Sequence, residues 1–75
     1  MIVKCGRREY DVTENDVVLY NGSCYQIITK NTGSGWDEYP VILAKAKAVK
    51  LIKEGALVKY KEEKRLKYYK FKVKQ

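Results

Sequence analysis

The feature that most constrains the fold of this chain is the stretch DVVLYNGSCYQIITK at residues 16–30. In it, Asn-Gly separates two runs of β-branched and aromatic residues. Asn-Gly is the pair that a two-residue type I′ β-hairpin favours, because both positions require a positive φ. Such a turn sets three pairs opposite one another: Tyr20 with Ser23, Leu19 with Cys24 and Val18 with Tyr25. The stretch therefore predicts a tight β-hairpin.

Both faces of this predicted hairpin are largely apolar. Side chains alternate between the faces of a strand, so one face carries Val17, Leu19, Cys24, Gln26 and Ile28. The other face carries Val18, Tyr20, Tyr25 and Ile27. A sheet with one face in water would alternate between apolar and polar residues. We therefore expect the hairpin to be covered on both sides, as the central pair of a small curved sheet or barrel.

Four further elements are predicted upstream and downstream of this hairpin. Residues 2–5 and 9–12 form a short hairpin around Gly6, and residues 13–16 form a polar turn or one helical turn. NTGSG at residues 31–35 is a loop before Trp36. Residues 44–54 form a helix that lacks an N-cap side chain, with an apolar stripe at Ala48, Leu51 and Ile52 and with Gly55 as its terminator.

The last twenty residues, ALVKYKEEKRLKYYKFKVKQ, predict a second hairpin with its turn at EEKR. Lysine alternates with apolar residues on both strands, a pattern typical of strands with one packed and one wet face. The packed set would be Val58, Tyr60, Tyr69, Phe71 and Val73. The element order predicts an α+β fold, either a small curved antiparallel sheet or an SH3-like partly open barrel of five to six short strands with one helix.

Length and composition limit the function of this chain. Seventy-five residues form a single domain, 1–75, whose core contributes no more than roughly 3–5 kcal/mol net. Without histidine there is no Ser-His or Cys-His nucleophile pair, and the adjacent carboxylates of Asp37 and Glu38 would point to opposite faces of an extended chain. We therefore expect a binding protein that is not an enzyme and needs no cofactor.

Two cysteines, Cys5 and Cys24, lie in apolar strand-like runs. We expect both to be small buried hydrophobic residues in a reducing cytoplasm, and a disulfide between them is the alternative. Two thiolates without histidine do not complete a tetrahedral zinc site, so no metal is expected. The chain has neither a long apolar run nor an apolar segment like that of a signal peptide, so we expect a cytoplasmic protein and no membrane partner.

Charge is distributed unevenly along the chain. Residues 1–40 hold four basic and six acidic residues, a net charge of −2, whereas residues 41–75 hold twelve basic and three acidic residues, a net charge of +9. Such asymmetry indicates a polyanionic partner. The predicted nucleic-acid-binding residues are Lys59, Lys61, Lys64, Arg65, Lys67, Tyr68, Lys70, Lys72 and Lys74.

These lysines have a second explanation, because lysine on the wet face of an edge strand prevents aggregation without binding anything. The tyrosines similarly suit cross-strand packing. Tyr68 is the exception, because it faces outward among the lysines if Tyr69 faces inward, and a base could stack on it. Trp36 either closes the end of the core or anchors a partner.

DVVLYNGSCYQI resembles the hairpin of small SH3-like barrels. Together with WDEYP at residues 36–40 and KLIKEGALV at residues 50–58, it is similar to short uncharacterised proteins of bacteriophages and prophages of Gram-positive bacteria. The resemblance implies a viral or mobile-element protein in the cytoplasm of a bacterial host. It transfers no catalytic residue.

Two main hypotheses follow. In the first, the chain binds DNA or RNA without sequence specificity through its lysine-rich C-terminal hairpin. In the second, it is a phage-type inhibitor that binds a host protein, for example a defence or replication factor as an anti-CRISPR does, through Trp36, Tyr39 or Tyr68 or against an acidic surface. A subunit of a homo-oligomer is a third alternative.

Overall fold

The computed structural model describes residues 1–33, 36 and 38–73. The strands are β1 (Ile2–Cys5), β2 (Arg8–Asp11), β3 (Val17–Tyr20), β4 (Tyr25–Thr32), β5 (Tyr39–Leu43), β6 (Leu57–Glu63) and β7 (Leu66–Phe71). The helix α1 (Lys45–Lys53) lies between β5 and β6. Across these residues there are thus seven strands, where the sequence predicted five to six.

The strands form two antiparallel sheets. β1 and β2 form a separate hairpin, and the other five are ordered β5-β4-β3-β7-β6, with β3 at the centre. The predicted α+β class and antiparallel sheet are therefore confirmed. The five-stranded sheet is open, with β5 and β6 as its edges, and within the described ranges no closed barrel forms.

The hydrophobic core lies against one face of the five-stranded sheet, which we call the inner face. Its sheet residues are Val18, Tyr25, Ile27, Val41, Leu43, Leu57, Tyr69 and Phe71. Ala48 and Leu51 of α1 pack onto them, as do Val3 and Val12 from the N-terminal hairpin and the turn after it. Tyr69 and Phe71 are buried, and Val73 packs against the core, so the predicted inward set of the last strand is confirmed.

The prediction that the β3–β4 hairpin is covered on both sides is wrong. Val18 and Ile27 on the inner face are fully buried, whereas Val17 and Leu19 are only half-buried and Ile28 is 38% exposed. The reason is that α1 and the N-terminal hairpin both contribute their apolar residues to the same core. The opposite, outer face of the sheet remains open to solvent.

The Asn-Gly turn differs from the predicted one. Tyr20 pairs with Tyr25, which leaves a four-residue loop, residues 21–24. The Asn21 side-chain oxygen accepts hydrogen bonds from the backbone N–H groups of Ser23 at 2.9 Å and Cys24 at 3.0 Å. These bonds favour a wider turn over the type I′ turn, in which Asn21 would have a positive φ. The register is therefore shifted by two residues, and an even shift leaves every side chain on its predicted face.

A two-residue turn with positive φ angles is instead found at Lys64 and Arg65, within the predicted EEKR turn. Glu63 pairs with Leu66, so only these two residues connect β6 to β7. Their φ angles are 44° and 73°, and in the described part of the chain they are the only non-glycine residues with positive φ. Two successive positive φ angles are what a type I′ turn requires.

The helix was predicted within one residue at each end. Ala44 precedes it without a side-chain cap, and Glu54 follows it. Gly55 ends it with a φ of 78°. At the chain start, β2 is Arg8–Asp11 where residues 9–12 were predicted, because Cys5 pairs with Arg8 around Gly6.

The buried carboxylate of Asp16 connects the start of β3 to β4 through a hydrogen bond. Asp16, 6% exposed, accepts hydrogen bonds from the Thr29 hydroxyl at 2.6 Å and the Thr13 N–H at 2.8 Å. The Lys30 Nζ lies 3.7 Å from the Asp16 oxygen that accepts the bond from Thr13. Burial on its own would raise the pKa of Asp16, but the bonds from Thr29 and Thr13 and the Lys30 charge outweigh it and lower the pKa.

We expect Asp16→Asn to lower the free energy of unfolding at pH 7 by about 1–3 kcal/mol, because two hydrogen bonds lose their charged acceptor. A lowered folded-state pKa stabilises the fold above the unfolded pKa, and this contribution is lost as the pH falls below about 4. Urea unfolding at pH 7 and pH 3 should therefore show a smaller deficit for the variant in acid. Asp11→Asn, at an exposed ion pair with the N-terminus, is the control. An equal deficit at both pH values would contradict this prediction.

Candidate nucleic-acid interface

The register of the five-stranded sheet arranges the outward side chains in rows across the strands. One row contains Ile42, Gln26, Leu19, Tyr68 and Lys61, in order from β5 to β6. A second row contains Val17 of β3, Lys70 of β7 and Val58 of β6. The outer face therefore changes character between β3 and β7.

Over β5, β4 and β3 the paired outer residues Ile42, Gln26, Leu19 and Val17 carry no charge. We call this part the apolar strip, and it consists of Val17, Leu19, Gln26, Ile28 and Ile42. Ile42 is 52% exposed. Scattered exposed apolar residues are ordinary, but neighbouring ones on one face mark an interaction surface.

Over β7 and β6 the outer face is aromatic and basic. We call this part the aromatic–lysine platform, and it consists of Tyr60, Lys61, Tyr68 and Lys70. An irregularity between Lys59 and Lys61 sets both Tyr60 and Lys61 beside Tyr68. Such a β-bulge opposes two residues of one strand to one residue of its partner and redirects a side chain.

The contacts within the platform pair each lysine with a ring. The Lys61 Nζ lies 5.6 Å from the centroid of the Tyr68 ring, and the Lys70 Nζ lies 4.8 Å from that of Tyr60. The two ring centroids are 6.4 Å apart, with their planes inclined by 59°. Lys61 also contacts the Glu63 carboxylate at 3.3 Å. The platform therefore holds two aromatic rings, two ammonium groups and one carboxylate at its margin.

Tyr60 was missed by the sequence reasoning, which assigned it and Val58 to the packed face. Both are on the outer face, 48% and 41% exposed. Because Leu57 pairs with the buried Phe71, the strand's inward positions begin at Leu57, and Val58 faces outward. The sequence feature that could have indicated this orientation is Leu57, the large aliphatic residue directly before the alternating run.

The other predicted lysines do not join the platform. Lys59 pairs with the buried Tyr69 and Lys67 pairs with Tyr20, so both belong to the inner side of the sheet. Lys59 contacts Glu62 at 3.1 Å. Lys64 and Arg65 are exposed at the tip of the hairpin, next to the platform in sequence. The predicted basic surface is thus split between the two faces.

The predicted row of Lys70, Lys72 and Lys74 is not a strand row. β7 ends at Phe71, and the Lys72 N–H donates to the Ala56 carbonyl at 2.8 Å. This bond holds Lys72 at the groove that Met1, Glu14 and Glu54 line. Lys74 lies outside the described residues. Of the two described lysines, Lys70 belongs to the outer face.

The predicted protein-partner residues are dispersed. Trp36 is fully exposed, so it does not close the core, and Tyr39 is 62% exposed at the start of β5. Tyr68 is half-buried within the platform. Tyr20, Tyr25 and Tyr69 pack on the inner side, where the first two stack at 4.3 Å and the last two lie 6.0 Å apart.

The described cysteines form neither a disulfide nor part of a metal-binding cluster. Cys5 and Cys24 are free and half-buried, so the alternative of a disulfide between them is not realised. Burial raises the pKa of the Cys5 thiol, which favours its protonated form. In the described part of the chain, no group of three or more histidine, cysteine or acidic residues is placed to hold a metal ion.

Comparisons with models of protein families, with curated proteins and with solved structures find no match for this chain. The resemblance to phage and prophage proteins therefore stays a prediction. Among the described residues, no helix has the length and apolar character that crossing a membrane requires.

Proposed function

We propose that this chain is a small binding domain without catalytic activity that binds nucleic acid, independently of sequence, through the aromatic–lysine platform and the hairpin tip. The observation that carries the proposal is the pairing of two half-exposed tyrosine rings with two lysines on an uncovered sheet face. Aromatic side chains interleaved with basic ones are the combination by which proteins hold bases and phosphates together.

The charges of this surface explain the expected lack of sequence preference. Phosphate contacts by lysine add affinity but carry no sequence information. Bidentate reading of bases relies mainly on arginine, asparagine and glutamine. None of these residue types belongs to the platform, and Arg65 at the tip is the one arginine near it.

The hairpin tip supports the proposal independently. Lys64 and Arg65 adopt positive φ, which costs an L-residue about 1–2 kcal/mol relative to its favoured regions. Asn-Gly would form the same turn with less strain. Residues with strained backbone cluster at functional sites, and two basic side chains at this turn are consistent with a contact to phosphate.

Replacing the tip by Lys64→Asn together with Arg65→Gly is expected to change stability and binding in opposite directions. Relief of strain should raise the free energy of unfolding by about 1 kcal/mol. Loss of two cationic groups should weaken oligonucleotide binding by about 3- to 10-fold at 50 mM salt. Thermal melting and fluorescence anisotropy measure the two effects. Lys45→Gln with Lys53→Gln removes two charges from α1 as a control. A stabilised variant with unchanged affinity would exclude the tip from the site.

Fluorescence anisotropy of a labelled oligonucleotide at about 50 and 200 mM salt tests the proposed function as a whole. Binding to phosphate must weaken steeply between the two, because each contact releases condensed counterions. No binding at 50 mM salt would overturn the proposal, whichever residues are involved.

The apolar strip favours a second candidate function, which is binding of a partner protein. Ile28, Ile42 and the fully exposed Trp36 are exposed apolar residues on β4, β5 and the connection between them. Buried aromatic and aliphatic anchors supply most of the energy of protein interfaces, with weak dependence on salt. An inhibitor of a bacterial host protein, as the resemblance to phage proteins implies, would act through this strip.

A further inference from the structure

The two rings of the platform form a tilted aromatic pair and not a face-to-face stack. Their planes are inclined by 59° at a centroid distance of 6.4 Å, so the rings do not stack face to face. A lysine ammonium group lies over each ring, that of Lys61 over Tyr68 and that of Lys70 over Tyr60. These lysines can move away without disturbing the core, because both are exposed.

We propose that the platform selects single-stranded nucleic acid and holds one base on Tyr60 and one on Tyr68. The proposal rests on the nucleic-acid binding proposed above and specifies the form of the ligand. Lys61 and Lys70 leave the rings when the bases arrive and contact the phosphates that connect or flank them. Each ammonium exchanges a contact with a ring for a charge-assisted contact with a phosphate oxygen.

The inclination of the rings favours bases that are unstacked from each other. Single strands are recognised with their bases splayed onto aromatic side chains. Two bases that follow the planes of Tyr60 and Tyr68 would be inclined by about the same angle as the rings. Leu19, which pairs with Tyr68 across β3 and β7, extends the apolar floor on which the second base rests.

A duplex cannot use this surface in the same way. Its bases stack on one another inside the helix, and only their edges are accessible in the grooves. The β6–β7 hairpin is not a free ribbon, because β7 is also paired with β3. Five strands about 4.8 Å apart form a face about 19 Å wide, which is wider than the major groove of about 12 Å. A duplex would therefore contact only the lysines.

The test compares a labelled single-stranded 12-mer with the duplex of the same sequence at 50 mM salt. Wild-type protein should bind the single strand at least about 10-fold more tightly. Stacking contributes about 5- to 150-fold per base, so Tyr60→Leu with Tyr68→Leu should lose about 30-fold or more on the single strand. Its affinity for the duplex should not change. Tyr60→Phe with Tyr68→Phe keeps both rings and should retain the preference, which separates loss of stacking from loss of the fold. Tyr39→Leu, at the opposite edge strand, is the matched control.

The outcomes distinguish this inference from the proposed function. If neither oligonucleotide binds, the proposed nucleic-acid binding fails. If both bind equally in a salt-dependent way, or if the double leucine variant keeps its single-strand affinity, only the base-stacking site is overturned.

Discussion

Reversing the charges of Lys61 and Lys70 together, as K61E/K70E, is expected to weaken binding of a single-stranded oligonucleotide by about 100-fold at 50 mM salt. Each reversal removes an attraction to a phosphate and adds a repulsion. A pair of unit charges at 4 Å interacts by about 1 kcal/mol even in bulk water. Two lysines that both face the same strand therefore account for an effect of this size.

The salt dependence provides a second and sharper readout. For single strands, log K falls against log salt with a slope of about −0.7 per phosphate contact. Loss of two contacts should therefore make the slope shallower by about 1.4. An affinity loss caused by partial unfolding would have no fixed relation to this change in slope.

A matched variant distinguishes the effect of where the two lysines lie from the effect of the protein's net charge. K45E/K53E lowers the formal net charge from +7 to +3, as K61E/K70E does, but its two residues are exposed on α1, which packs against the inner face. Glu at the first helical position suits the helix dipole and Glu at the last opposes it, so stability should change little. Equal losses of affinity in both variants would show that the protein's overall charge, and not the platform, attracts the polyanion.

The alternation of Val18, Tyr20, Tyr25 and Ile27 predicted the inner face correctly, although the turn that joins them was wrong. A shift of two residues in register does not change the face of a side chain. The Asn21 side chain decided the turn through two local hydrogen bonds, which compete with the type I′ geometry that Asn-Gly also favours.

The site was predicted less well than the fold, for a physical reason. The composition pointed to the C-terminal hairpin, and Tyr68, Lys61 and Lys70 were all predicted to face outward. The lysines of β6, β7 and the turn between them were nevertheless predicted to form one surface. Lys59 pairs with the buried Tyr69 on the inner side, and the irregularity that follows it places Lys61 on the outer side. A β-bulge depends on how two strands meet, and the sequence of either strand alone does not reveal it.

The uncovered outer face could not be predicted from the hairpin either. A hairpin with two apolar faces is buried on both sides only if enough other helices and strands exist to pack against each face. Outside the five-stranded sheet, the described residues form one α-helix and the β1–β2 hairpin, and both contribute to the inner-face core. The number of remaining elements, rather than the pattern of the β3–β4 hairpin, determined that one apolar face remains available for a ligand or partner.

Replacing Phe71 by alanine is expected to unfold the domain at 25 °C. Phe71 is 2% exposed and is among the largest fully buried side chains, and it pairs with Leu57 where β7 meets β6. Truncation of a buried phenylalanine to alanine costs about 3–5 kcal/mol. A core of this size contributes about that much net stability in total, so the variant has little or none left.

Circular dichroism and urea unfolding measure this effect, and Val58→Ala is the matched control. Val58 is the residue after Leu57, and it is 41% exposed on the opposite face of the same strand. Its truncation should cost less than about 1 kcal/mol, since little apolar area leaves contact with the core. A folded Phe71→Ala variant beside an unfolded Val58→Ala variant would mean that the sheet packs through its other face. The platform would then be part of the core, and the proposed binding surface would not exist.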